Sequence, residues 1–284
     1  MATAYANTYN LKLSFTSWVC PEWTVAAIVD GMQTYSYDGV ELRIGKGHLH
    51  GVELDSPPEY LAEVRKQFDA GNLAVSCLAT SFTLSNPDAT ERQKTINQIK
   101  QCLRTADAIG APYIRVFGGD IPQGLEPVGV IDYVAEALGE CSEFAEKERI
   151  RSTILLETHG AFSHSKYVGE VMSQVFSGKL GVLWDVLHPL RVLESVEDTY
   201  DAICDYVRHI HMHDCAFNEG RTKIVPCEPG EGFIPMAQVI DLLKSGNFRG
   251  YLSLEALQEN ADPDEILPKY AKYLRGLISP APQS

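Results

Sequence analysis

The sequence predicts an α/β fold closed as a single (β/α)8 TIM barrel. Three observations carry this: eight short, β-rich apolar segments run from end to end, helix-patterned stretches separate them, and the chain has 284 residues, against about 250 for such barrels. In order, the segments are LKLSF (11–15), YDGVELR (37–43), NLAVSCLA (72–79), PYIRVF (112–117), STILLE (152–157), LGVLWD (180–185), VRHIHMH (207–213) and GYLSLE (250–255). Between them apolar residues recur at i, i+3 and i+4, as in PPEYLAEVRKQF (57–68), TERQKTINQIKQCLRTADAIG (90–110) and PMAQVIDLLKSG (235–246). Gly71, Gly110 and Gly246 stand where left-handed C-caps would end those helices. A doubly wound open sheet is the alternative, but LSFTSWVCPEW, at the first strand, has no G-x-G-x-x-G dinucleotide turn. No Pro-, Gly- or Ser-rich linker divides the chain, so residues 1–284 read as one domain with a frayed tail at SPAPQS (279–284).

Composition removes several function classes. With 45% hydrophobic and 22% charged residues the chain can bury a substantial core. It has no apolar run of about 18 residues, and MATAYANTYNLKLSF lacks the basic and apolar regions of a secretory signal, so neither a membrane span nor export is expected. Seven cysteines without C-x-x-C or a disulfide-framework spacing point to the reducing cytoplasm, with Cys77, Cys102, Cys141 and Cys204 as small core residues. A formal charge of -14 argues against a nucleic-acid partner, which would need clustered Lys and Arg. A small anionic substrate stays open.

In such a barrel chemistry collects at the C-terminal ends of the strands. The fifth strand ends in Glu157, the sixth in Asp185, the seventh carries His211 and the eighth ends in Glu255. Alternation places each opposite large apolar neighbours: Ile154 and Leu156, Val182 and Trp184, Ile210 and Met212, Leu252 and Leu254. The four polar groups can therefore converge inside the barrel mouth. Three carboxylates so close would repel, and a divalent cation removes that cost. Taken singly, either Glu reads more often as a solvated loop residue and Asp185 more often as a helix N-cap; four on successive strand ends are less easily read so. Three oxygens and one nitrogen suit Mn²⁺ best among candidates that also include Mg²⁺, Co²⁺ and Zn²⁺.

Taken in order, Glu157, Asp185-x-x-His188, His211-x-x-Asp214 and Glu255 resemble the xylose isomerase-like barrel superfamily, the sugar phosphate isomerases/epimerases. YDGVELR (37–43), ADAIGAPYIRVFGG (106–119) and GEGFIP (230–235) support the match, which covers nearly the whole chain. That group includes ketose 3-epimerases, inosose dehydratases and apurinic endonucleases. The resemblance implies Glu157, Asp185, His211 and Glu255 as metal ligands. It implies a substrate contact or metal support at His188, and a substrate-oxygen contact at Arg221, where a plain surface arginine is the alternative. His209, one layer deeper, reads as a hydrogen-bonded structural histidine, and His213 as a rim residue touching substrate or solvent. The segment Asn218 to Cys227 lacks the extra His and Asp pair of the DNA-repair members, which argues against nuclease activity. ALQENADP after the eighth strand lacks a phosphate-cradling glycine turn, which argues against a phosphorylated substrate.

The chemistry expected from this site is isomerisation or epimerisation of a sugar or related α-hydroxy ketone through a metal-stabilised enediolate. Glu157 and Glu255, as in the resembled ketose epimerases, are the expected proton carriers as well as ligands. Loss of a β-hydroxyl from the same intermediate would make a dehydratase of a keto-inositol or keto acid, with His159 and His188 placed to protonate the leaving group. A non-catalytic carbohydrate-binding or complex subunit is the third reading. Arg43 and Arg115 either face the mouth to bind substrate or pair with Glu41 and Asp120, and Trp18 either stacks on a sugar or packs. The resemblance also admits a homo-oligomer, since a neighbouring copy often caps the mouth in this family.

Overall fold

The computed structural model describes residues 11–256 and 261–279. Eight parallel strands are joined in the order β1-β10-β7-β6-β5-β4-β3-β2. They are β1 (Lys12–Phe15), β2 (Gly39–Arg43), β3 (Ala74–Thr83), β4 (Tyr113–Phe117), β5 (Thr153–Glu157), β6 (Leu180–Asp185), β7 (Val207–Met212) and β10 (Tyr251–Leu254). Each matches one of the segments expected from sequence. The seam between β1 and β2 is closed by a bridge between Thr16 and Glu41. Asp38 reinforces it, donating its N–H to the Leu13 carbonyl (2.8 Å) while its Oδ2 accepts from Leu13 N (2.8 Å). A short antiparallel hairpin, β8 (Cys215–Phe217) and β9 (Ile224–Pro226), stands after β7; nothing in the sequence reading anticipated it.

The helices are α1 (Val25–Tyr35), α2 (Pro58–Ala70), α3 (Ala89–Ile109), α4 (Pro127–Lys147), α5 (Ser165–Gln174), α6 (Leu187–Arg191), α7 (Val196–Ile203), α8 (Met236–Ser245) and α9 (Pro263–Ile278). Side chains start several of them: Asp88 accepts from Thr90 N (2.7 Å) and Glu91 N (3.3 Å), and Ser195 from Asp198 N (3.0 Å). Gly110 ends α3 in the left-handed region as expected, at φ 81. Gly71 and Gly246 do not: they keep φ -81 and -78, and the following Asn72 and Asn247 turn left-handed at φ 53 and 54. Asparagine is among the few L residues that enter that region readily, because its short amide bonds locally.

Alternation along the strands separates two cores. Val40, Leu42, Ile154, Leu156, Val182, Trp184, Ile210, Met212, Leu252 and Leu254 point outward and are buried under the helices. Inward-facing positions carry the buried polar residues Ser14, Glu41, Arg115, His209, His211 and Ser253. All seven cysteines are free thiols. Among the described residues no helix is long and apolar enough to cross a membrane. Of the expected frayed tail only Ser279 is described, and residues 257–260 of the ALQENADP stretch also lie outside the described residues.

Candidate metal centre at the barrel mouth

The four residues singled out from strand ends meet at one point. His211 on β7 and Asp185 at the end of β6 are neighbours in register, while Glu157 closes β5 and Glu255 directly follows β10. His211 Nδ1 lies 3.4 Å from Glu255 Oε2, 3.6 Å from Glu157 Oε1 and 3.7 Å from Asp185 Oδ2. One donor atom from each of the four lies within 4.8 Å of every other. His211, Asp185 and Glu157 are fully buried, whereas the Glu255 side chain is 20% exposed and opens the site to the mouth.

The donor set fits a divalent cation on evidence internal to the site. His211 Nδ1 and Asp185 Oδ2 are buried without a hydrogen-bond partner among the described residues. Leaving such atoms unpaired costs on the order of 1–3 kcal/mol each, more when charged, and one cation between them and the glutamates would remove that cost. Burial disfavours charge on His211, yet the adjacent Glu41 and Glu255 outweigh it and hold the imidazole well above its ordinary pKa. Burial also opposes ionisation of Asp185, but the charges of His213 and His188 and the hydrogen bond with His213 keep its carboxyl well below the usual range. Its Oδ1 accepts from Leu187 N (2.8 Å) at the first turn of α6, whose N-cap is Val186, while Oδ2 faces the cluster.

Around this set the structure corrects several expectations. His213 is not a rim residue: it is 2% exposed, with Nε2 3.2 Å from Asp185 Oδ1 and Nδ1 3.2 Å from the Glu255 carbonyl. The strand ends at Met212, and the turned chain folds the ring back against its neighbours. The carboxylate Arg115 pairs with is Glu157 and not Asp120: its guanidinium is buried and sits 3.1 Å from Glu157 Oε2, because a buried cation needs a counter-charge at hand. Arg43 donates to the Ala79 carbonyl (2.8 Å) and the Ser81 hydroxyl rather than to Glu41. His188 and His159 do stand together beside the cluster, with ring centroids 4.3 Å apart and His188 Nε2 3.9 Å from Asp185 Oδ2. Arg221 is exposed at the turn of the β8–β9 hairpin, over the ring of Phe217 at 5.0 Å. It lines a cavity of about 640 Å³ with Arg191, Lys223 and Leu187, a lining that includes none of Glu157, Asp185, His211 and Glu255. Trp18 is 47% exposed, with its ring centroid 6.1 Å from that of His48.

Two carboxylates have partners that the sequence reading did not give them, Glu41 having been named only as a possible partner of an arginine. Glu41, on β2, has Oε1 2.8 Å from His209 Nε2 and 3.1 Å from His211 Nε2. The alternation test that found the other four would have found it, since Glu41 lies opposite Val40 and Leu42; it was missed because it sits two residues short of its strand's end. Asp214, quoted only as part of a motif, organises the following loop by accepting from Cys215 N (2.9 Å), Gly230 N (2.8 Å), Gly232 N (3.0 Å) and Ile234 N (3.3 Å). Gly232 has to be glycine here, for a Cβ would collide with Asp214 Oδ1 and the Cys215 carbonyl. Asp214→Ala strands these donors and is expected to lower stability by about 2–3 kcal/mol, read from the urea midpoint; an unchanged midpoint would show that the loop holds itself.

Comparison with known proteins agrees with this architecture. A family model for the xylose isomerase-like TIM barrel matches residues 29–277. Fructoselysine 3-epimerase of Escherichia coli O157:H7 is 22% identical over 228 residues, covering 77% of this chain and 80% of that protein. Inosose isomerase of Halalkalibacterium halodurans is also 22% identical, covering 77% and 78%. Among solved structures, IolI protein with a bound zinc atom superposes with a TM-score of 0.78 at 18% identity, over 95% of this chain and 98% of that one.

Proposed function

The chain belongs to the xylose isomerase-like TIM barrel family, and from its site we propose that it is a divalent-metal-dependent isomerase or epimerase of a sugar or related α-hydroxy ketone. The observation that carries this reading is the convergence of three carboxylate oxygens on His211 Nδ1, with that nitrogen and Asp185 Oδ2 otherwise unpartnered. Glu157, Asp185, His211 and Glu255 would hold the ion, and the oxygen-rich set suits Mn²⁺ best. A divalent ion bound there supplies Lewis acidity that polarises a substrate carbonyl and acidifies the adjacent C–H.

The proton-carrying roles go to the two glutamates, as the resemblance to ketose epimerases implies. Asp185 already commits Oδ1 to Leu187 N and His213. Glu255 is part-exposed at the mouth and can take or return a proton at the substrate carbon, while Glu157, oriented by Arg115, serves the opposite side. Burial pushes the His159 imidazole below its ordinary pKa, which makes that ring a poor acid toward a leaving hydroxyl; a dehydratase would need His188 in that role. Sugar substrates of the fructoselysine epimerase and inosose isomerase kind are consistent with this chemistry.

The test is a solvent-deuterium screen of the metal-loaded protein over ketoses, keto-inositols and keto acids, read by mass. Product of unchanged skeleton carrying deuterium at carbon is expected. Product lighter by one water would replace the proposal with a dehydratase. Absence of exchange across the panel, with metal still stabilising the fold, would leave the non-catalytic binding subunit.

A further inference from the structure

We propose that Glu41 is a positioning residue that dictates which nitrogen of His211 faces the three acids, an inference resting on the metal reading above. Glu41, His209 and His211 are all 0% exposed. An ionised carboxylate can only accept, so both Nε2 atoms at 2.8 and 3.1 Å from Glu41 Oε1 carry hydrogen. Glu41 Oε2 lies a further 3.3 Å from His211 Nε2, so both oxygens face that ring. With Nε2 committed to Glu41, Nδ1 is the nitrogen left to release its proton and offer a lone pair to an ion, and it is Nδ1 of His211 that lies 3.4–3.7 Å from Glu255, Glu157 and Asp185 without a hydrogen-bond partner. His209 anchors the other side of the same carboxylate from one layer deeper.

Two further observations support an orienting role. A buried ion pair is weak evidence for stability, since apolar side chains of like volume commonly replace one at no loss; its retention in the barrel interior asks for another reason. The backbone also departs from regular pairing at this residue. Val40 pairs with Val75 but Glu41 with Cys77, a register shift within a parallel ladder. The extra residue is Ser76 of β3, so it is the strand beside Glu41 that bends there. A ligating histidine whose other nitrogen donates to a carboxylate gains both a fixed ring and a more basic donor atom, and losing that partner typically weakens metal affinity by about 10–100-fold.

The experiment compares full-length wild type with E41Q by chelator-competition titration of Mn²⁺ and Zn²⁺, alongside long-range ¹⁵N–¹H spectra of the Zn²⁺-loaded wild type. Expected are one ion per chain, a Kd raised about 10–100-fold in E41Q with the far-UV spectrum unchanged, and a proton on His211 Nε2 with metal on Nδ1. The spectra of wild type need no variant to fold. Metal on Nε2 overturns the proposal, as does a second tightly bound equivalent lost in E41Q, which would make Glu41, His209 and His211 a metal site of their own. Equal affinity in E41Q overturns this proposal alone, whereas a wild type that binds no divalent ion overturns the metal reading with it.

Discussion

Glu157→Gln and Glu255→Gln each lower turnover on the true substrate by about 10²–10⁴-fold, the usual worth of a positioned acid or base, and leave the barrel folded. Glutamine keeps the shape of the side chain and one oxygen, so Arg115 retains an acceptor at position 157. What it cannot do is take up a proton at the substrate carbon. Removing one of three crowded negative charges also relieves repulsion in the ion-free protein, which is why loss of fold is not expected. The measurement is the rate of deuterium incorporation by metal-loaded variants, with a thermal melt as the control. Full activity in either variant would remove that glutamate from the chemistry.

Stripping divalent ions with a chelator is expected to abolish turnover and to lower Tm by about 8–16 °C, corresponding to about 4 kcal/mol of linkage at a thousandfold excess of ion over Kd and about 2–4 °C per kcal/mol. The stabilisation arises because the native site gathers three carboxylates and an unpartnered imidazole nitrogen that the unfolded chain keeps apart in water. Mn²⁺ is expected to restore both properties most fully. Identical melts with and without chelator would leave the cluster as a set of hydrogen-bonded acids with no ion to serve.

Much of this was legible in the chain because strands write their two faces in alternate letters. The outward set Ile154, Leu156, Val182, Trp184, Ile210, Met212, Leu252 and Leu254 marks four strands, and the polar residue breaking each pattern near its end marks the mouth. His209 was readable as a deeper, hydrogen-bonded histidine, and it is one. The hairpin after β7 was not readable, since three-residue strands carry too little periodicity to stand out from a loop. Nor were the C-caps at Gly71 and Gly246, where the neighbouring asparagine took the strained turn.

By itself the sequence determined the barrel, the height of each ligand-type side chain on its strand, and the inward direction of Glu157, Asp185 and His211, because these follow from local periodicity. Tertiary structure alone decided the partners. Glu41 lies 168 residues before His209 yet is hydrogen-bonded to its Nε2; Arg115 turned to Glu157, and His213 folded inward onto Asp185. Charge pairing in a buried interior is settled by which groups closure of the barrel brings within about 3 Å of one another, and no local pattern records that distance.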